Sequence, residues 1–254
     1  MEFKKIQING LEIRYAELNK DAPQCLVFLH GWGGNLESWQ DFLSTFKGES
    51  IRILAYDLSG FGQSQTPAQP WTVNDYADLL KNFLDQLDLD KIYLFGHSFG
   101  GQIAVRFSYD HPERLERLFL SGAAIVRPRK SFYKIILAFL ARIVKIVLPG
   151  KAARFRKFIY RVIGGADYGN LTDPVMRQTM ANVIADDLLD LLPGLKMPVF
   201  IIWGKLDKYT PYRYFLRIKN ALPLAKTFVF ADGRHGLHWQ KPDELKKIIL
   251  ANLN

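Results

Sequence analysis

Lys91-Ile92-Tyr93-Leu94-Phe95-Gly96-His97-Ser98-Phe99-Gly100-Gly101-Gln102-Ile103-Ala104-Val105-Arg106-Phe107 reads as a short apolar strand, a Gly-x-Ser-x-Gly corner and a helix. At such a corner the serine occupies a strained turn, with its hydroxyl lifted above the sheet. The glycines on either side leave room where a side chain would collide with the adjoining strand and helix. The helix that starts behind the serine points its amino end at the site, which favours a developing negative charge. Five residues alone recur by chance. The strand before them and the helix after them give the pattern its meaning.

Outward from this corner the chain alternates between strand and helix. Residues 3–8 and 11–17 are β-rich runs joined by Asn9-Gly10, a strong hairpin signal. Short, almost continuously apolar strands follow at 25–29, 51–56, 91–95, 117–120, 199–203 and 227–230. Such runs suit a parallel sheet covered on both faces. Helical patterns lie between them at 36–46, 73–87, 99–110, 212–221 and 242–251. The alternation predicts an α/β fold, a doubly wound, mostly parallel sheet of eight strands. It breaks after the sixth strand, where the chain reads as helices only. The expected division is a core of residues 1–121 and 194–254, with a helical cap (a lid) over 122–193.

Bulk properties narrow the field. The chain has 254 residues, enough for one large domain with an insertion. A single cysteine, Cys25, rules out an intramolecular disulfide and fits a reducing compartment. The first residues lack an apolar signal-peptide core, and no uncharged run reaches the length of a membrane span. A cytoplasmic protein is therefore expected. The formal net charge is +9, but it is not spread evenly. Residues 122–166 hold 11 Lys and Arg and no Asp or Glu, whereas the rest has 23 basic against 25 acidic residues. The body of the protein thus has no general affinity for polyanions.

A serine needs a base to become nucleophilic, and the base needs a carboxylate to fix its tautomer. Asp207 follows the strand at 199–203 and His235 follows the strand at 227–230, so both stand at strand ends, where ligands of open α/β sheets gather. The chain order is Ser98, Asp207, His235. An oxyanion hole is expected from the amides of Trp32 and Phe99, since His30-Gly31-Trp32-Gly33-Gly34 follows the strand at 25–29.

These pieces resemble the α/β-hydrolase fold superfamily, in its serine-nucleophile branch of small esterases, lipases and carbon–carbon bond hydrolases. The matching stretches are His30 to Gly34, Asp57-Leu58-Ser59-Gly60-Phe61-Gly62-Gln63-Ser64, Gly96 to Gly100, Asp207, and His235 to Pro242. The resemblance spans the chain except for the cap. It implies Ser98 as nucleophile, His235 as base, Asp207 as its orienting carboxylate, and Trp32 and Phe99 as oxyanion donors. Ser59 and Gln240 depart from residues frequent in relatives, and neither belongs to the triad. Pro242, standing where relatives carry a proline, favours His235 over His238 as the base.

His30, Gly31, His97 and His238 are expected around the substrate. His30 orders the oxyanion turn by hydrogen bonding, His97 is a spacer packed in the elbow, and His238 is a neighbour near the cap. Asp57 is read as structural, holding its glycine-rich turn. No histidine–carboxylate group has metal-ligand spacing and no phosphate-binding glycine loop is present, so neither metal nor cofactor is expected.

Two amphipathic helices are read in the cap, at 131–148 and 151–163, divided by Pro149-Gly150. Their apolar faces suit the lining of a substrate pocket. Their cations could instead meet an anionic membrane, giving peripheral attachment, or hold an acidic group of the substrate. The cations interleave with aliphatic residues rather than aromatic stacking platforms, which disfavours nucleic acid. The expected activity is cofactor-independent hydrolysis of a small carboxylic ester with an apolar acyl part through an acyl-enzyme. Two alternatives stand beside it: hydrolysis of a carbon–carbon bond in a diketone-like acid by the same triad, and a non-catalytic ligand-binding protein on this fold.

Overall fold

The computed structural model describes residues 1–127 and 172–253. Eight strands form one sheet: β1 (Glu2–Ile8), β2 (Leu11–Leu18), β3 (Cys25–Leu29), β4 (Arg52–Tyr56), β5 (Ile92–His97), β6 (Leu115–Ser121), β7 (Val199–Gly204) and β8 (Lys226–Phe230). Their order is β1-β2-β4-β3-β5-β6-β7-β8. Only the β1/β2 and β2/β4 pairs are antiparallel; the rest of the sheet is parallel. The opening hairpin turns at Asn9 and Gly10, both at positive φ, as an Asn-Gly turn requires.

Seven described helices cover the sheet: α1 (Leu36–Ser44), α2 (Val73–Gln86), α3 (Phe99–Asp110), α4 (Pro174–Ala185), α5 (Tyr212–Ala221), α6 (Leu237–Gln240) and α7 (Pro242–Leu250). Two apolar layers separate them from the strands. One holds Leu80 and Phe83 of α2, Ile103 and Phe107 of α3, and Phe215 and Ile218 of α5. The other holds Trp39 and Phe42 of α1 and Leu245 and Ile249 of α7. Helices on both faces of a parallel sheet are what continuously apolar strands demand, because neither strand face can meet water.

The strands extend slightly beyond the sequence reading. β5 continues past Phe95 because Gly96 pairs with Leu120 and His97 with Ser121. A glycine and a histidine break the apolar pattern there without breaking the ladder. The short helix α6 was not expected. Residues 172–193, read as the end of the cap, lie against the core. The Thr179 hydroxyl accepts from the Trp71 amide at 3.0 Å, and Asn182 Nδ2 donates to the Trp71 carbonyl at 3.1 Å. Arg127, counted with the cap's cations, is spent on structure: its guanidinium donates to Gln102 Oε1 at 2.6 Å and to the carbonyls of Val183 and Asp186. The helices read at 131–148 and 151–163 lie outside the described residues, and so does their membrane face. Among the described residues no helix is long and apolar enough to cross a membrane.

Candidate active site

The turn from β5 into α3 is built by close backbone approach. A Cβ on Gly100 would lie 2.3 Å from the Leu29 carbonyl oxygen, and one on Gly96 would lie 2.6 Å from the Gly100 oxygen. Both contacts are with backbone, so neither neighbour can yield. Between the glycines Ser98 takes φ +53° and ψ −113°. That left-handed region is costly for a residue with a Cβ. The strain is held by backbone bonds: the Ser98 amide donates to the Ser121 carbonyl at 3.0 Å, and the Ser98 carbonyl accepts from Ala124 at 2.9 Å.

The loops after β7 and β8 bring Asp207 and His235 together. His235 Nδ1 lies 2.7 Å from Asp207 Oδ2. A carboxylate only accepts, so the ring carries its proton on Nδ1 and leaves Nε2 with a free lone pair. Asp207 is buried, and its Oδ1 accepts from the amides of Tyr209 and Thr210, both at 2.8 Å. The Thr210 hydroxyl lies 2.8 Å from Asp207 Oδ2 and 3.0 Å from the Gly122 carbonyl. The carboxylate is thus fixed on every side. The His235 ring is flanked by His97 at 4.6 Å and Tyr209 at 5.1 Å between centroids. Ser98, Asp207 and His235 all line one cleft of about 980 Å³. Among the described residues Ser98 Oγ forms no hydrogen bond, with His235 or with any other group.

The turn at 30–34 abuts the elbow. A Cβ on Gly31 would stand 3.0 Å from Ser98 Cβ. The Gly100 amide donates to the His30 carbonyl at 3.0 Å, and the Gly34 amide to the Gly31 carbonyl at 3.0 Å. Neither the Trp32 nor the Phe99 amide has an acceptor among the described residues. Two unpaired donors beside an unengaged hydroxyl are what a developing oxyanion needs. The rings of the same two residues lie 5.3 Å apart between centroids.

The other histidines separate by environment. His30 is not among the residues that line the cleft. Its Nδ1 meets the Gly31 carbonyl at 2.8 Å and its Nε2 accepts from the Leu58 amide at 3.0 Å, so both nitrogens hold the turn. Burial pushes its pKa down to about 4. His97 lines the cleft and donates from Nδ1 to the Ser121 carbonyl at 3.0 Å. Burial, and then the neighbouring His235 and His238, lower its pKa well below the usual histidine value. His238 is stacked on Trp39 of α1 at 4.1 Å between centroids. Burial pushes its pKa down to about 3, and its Nε2 has no partner.

Asp57 accepts from the amides of Leu36 at 2.7 Å and Gln63 at 2.9 Å, holding its turn and the start of α1. Thr210, Tyr209 and Gly122 escaped the sequence reading. Thr210 had a signal: a hydroxyl three residues after Asp207 suits a side-chain turn. Gly122, at φ +52°, lies where a Cβ would meet Asp207 Oδ2 and His235 Nδ1 at 3.2 Å each. Among the described residues no group of three or more His, Cys, Asp or Glu is placed to hold a metal.

A family model described as alpha/beta hydrolase fold matches residues 24–161. A protein of Paraburkholderia phymatum, 2-hydroxy-6-oxononadienedioate/2-hydroxy-6-oxononatrienedioate hydrolase, is 26% identical over 95% of this chain and 91% of its own length. A protein of Pseudomonas putida, 2-hydroxy-6-oxononadienedioate/2-hydroxy-6-oxononatrienedioate hydrolase 1, is 26% identical over 98% of this chain and 95% of its own length. Among solved structures, an esterase from Exiguobacterium antarcticum superposes with a TM-score of 0.76 at 22% identity, covering 98% of both chains.

Proposed function

The chain belongs to the alpha/beta hydrolase family, and from that premise we propose that it is a serine hydrolase that cleaves a carbon–carbon bond next to a ketone in a diketone-like acid. The observation that supports the catalytic machinery is the His235–Asp207 contact at 2.7 Å in the same cleft as an unengaged Ser98 hydroxyl. The bond class rests on the Paraburkholderia phymatum and Pseudomonas putida relatives, whose names describe hydrolases of hydroxy-oxo dioates.

The geometry orders the steps. Ser98 Oγ adds to the ketone carbon while His235 Nε2 takes its proton. Asp207 holds the resulting imidazolium, and the Trp32 and Phe99 amides hold the oxyanion. Collapse of the tetrahedral adduct breaks the carbon–carbon bond. Its electron pair passes to the leaving carbon, where the second carbonyl spreads it as an enolate. His235 returns the proton to that fragment. Water, deprotonated by His235, then releases the acyl group from Ser98 as a carboxylic acid. Carbon is a feasible leaving group only because the second carbonyl stabilises its charge, which is why a diketone-like substrate is required.

Hydrolysis of a carboxylic ester with an apolar acyl part is the second reading. The indole rings of Trp32, Trp39 and Trp239 along the cleft favour it, and the attack is the same. A spectrophotometric comparison decides between them. Loss of the dienolate absorbance of a 2-hydroxy-6-oxo-dienoate should proceed with a higher kcat/KM than release of 4-nitrophenol from neutral acyl esters. The reverse ranking would return the assignment to esters.

A further inference from the structure

The mouth of the cleft is cationic. Lys205 and Lys208 stand on the loop after β7 and Arg234 on the loop after β8, and all three line the cleft while remaining solvent-exposed. None forms an ion pair with a carboxylate among the described residues. Lys205 has only the face of Tyr212, 6.0 Å away. The nearby carboxylates are already engaged: Asp207 holds His235, and Asp232 pairs with Lys241 at 2.8 Å. The mouth therefore carries three cations without an ion-pair partner, against the one buried carboxylate of Asp207, beside the indole walls of Trp39 and Trp239. Low-dielectric walls around charges of one sign focus the field into the cavity.

The loops that carry the three cations are held relative to the reacting groups. Lys208 directly follows Asp207 and Arg234 directly precedes His235. The two loops are tied together by the Leu206 amide on the Gly233 carbonyl and the Lys205 amide on the Phe230 carbonyl, both at 2.9 Å. The Arg234 amide is further held by Gln240 Oε1 at 2.8 Å. The loop backbones thus set the spacing from which the cations reach into the cleft.

We infer that Lys208 and Arg234, with Lys205 beside them, bind a free carboxylate of the substrate and make the enzyme selective for acidic acyl compounds. The inference rests on the reading of Ser98 as a hydrolytic nucleophile, and it assigns acid recognition to the core rather than to the basic segment inserted after β6. A guanidinium offers a two-pronged donor matched to a carboxylate, and an ammonium adds a point charge.

The test pairs mono-(4-nitrophenyl) adipate with its neutral counterpart, 4-nitrophenyl hexanoate, and adds a calorimetric titration with adipate. The acidic ester should be preferred. The double variant Lys208→Glu/Arg234→Glu should lower the acidic-to-neutral ratio of kcat/KM by about tenfold. Added salt should erode the ratio in the unaltered protein, and Lys219→Glu/Lys247→Glu, an equal charge change on α5 and α7 away from the cleft, should leave it in place. Turnover of both esters with no preference, or a preference that survives the double variant, overturns the inference and leaves the hydrolase reading standing. If neither ester turns over, the ester reading fails, the carbon–carbon reading stays with the dienoate assay, and the titration decides on the cations. Adipate binding lost in the double variant supports them, and no binding overturns them.

Discussion

Ser98 carries the account at the scale of single residues. Its φ of +53° is a conformation that a Cβ resists and glycine accepts. The backbone nevertheless places a serine there, between glycines that are required for a different reason, the absence of room. Three substitutions separate these effects. Ser98→Ala should keep the fold and lower turnover by on the order of 10⁴–10⁶-fold in steady-state assays. Ser98→Gly should be equally inactive yet more stable than Ser98→Ala by about 1 kcal/mol in urea unfolding, because it relieves the backbone. Gly100→Ala should cost roughly 3 kcal/mol or more, since its Cβ would meet the Leu29 oxygen at 2.3 Å. Gly-x-Ser-x-Gly was legible in the sequence because each residue type answers a local steric demand. Gly122 was not, because its demand comes from Asp207 and His235, far away along the chain.

Among the elements, α6 and α1 pack a cluster of neutral histidines beside the sheet. His238, with its pKa near 3, stacks on Trp39, while His30, with its pKa near 4, holds the turn after β3. Unfolded histidine titrates near 6.5, so between about pH 6.5 and 4 the unfolded chain binds protons that the folded one refuses. Stability should therefore be intact above that window and fall as the pH falls through it. Each such ring contributes up to about 1.4 kcal/mol per pH unit. His238→Phe keeps the stacking and removes the unpartnered nitrogen, so its stability should fall less steeply in urea melts between pH 6 and 4.5. An unchanged slope would mean that the ring is charged in the folded protein. The strand and helix positions were readable from periodicity, because a covered parallel strand is apolar throughout. The placement of His238 was not, because a four-residue helix leaves no periodic trace and its partner Trp39 lies some two hundred residues earlier.

At the scale of the whole molecule, three segments far apart in sequence meet at one end of a sheet. β5 delivers Ser98, the loop after β7 delivers Asp207, and the loop after β8 delivers His235, with β3 supplying the turn that faces them. The order of strands that makes this meeting possible is a property of long-range pairing. The sequence disclosed the fold class and the chain order of the three residues, but not the cationic mouth, which needs two loops to be seen side by side. The central claim is that this convergence makes one hydroxyl reactive. Labelling of the native protein with a fluorophosphonate, followed by peptide mass spectrometry, tests it most directly. The account predicts a single adduct on Ser98 that is lost in His235→Ala, whereas an unlabelled Ser98 in folded protein, or an adduct that persists without His235, would contradict it.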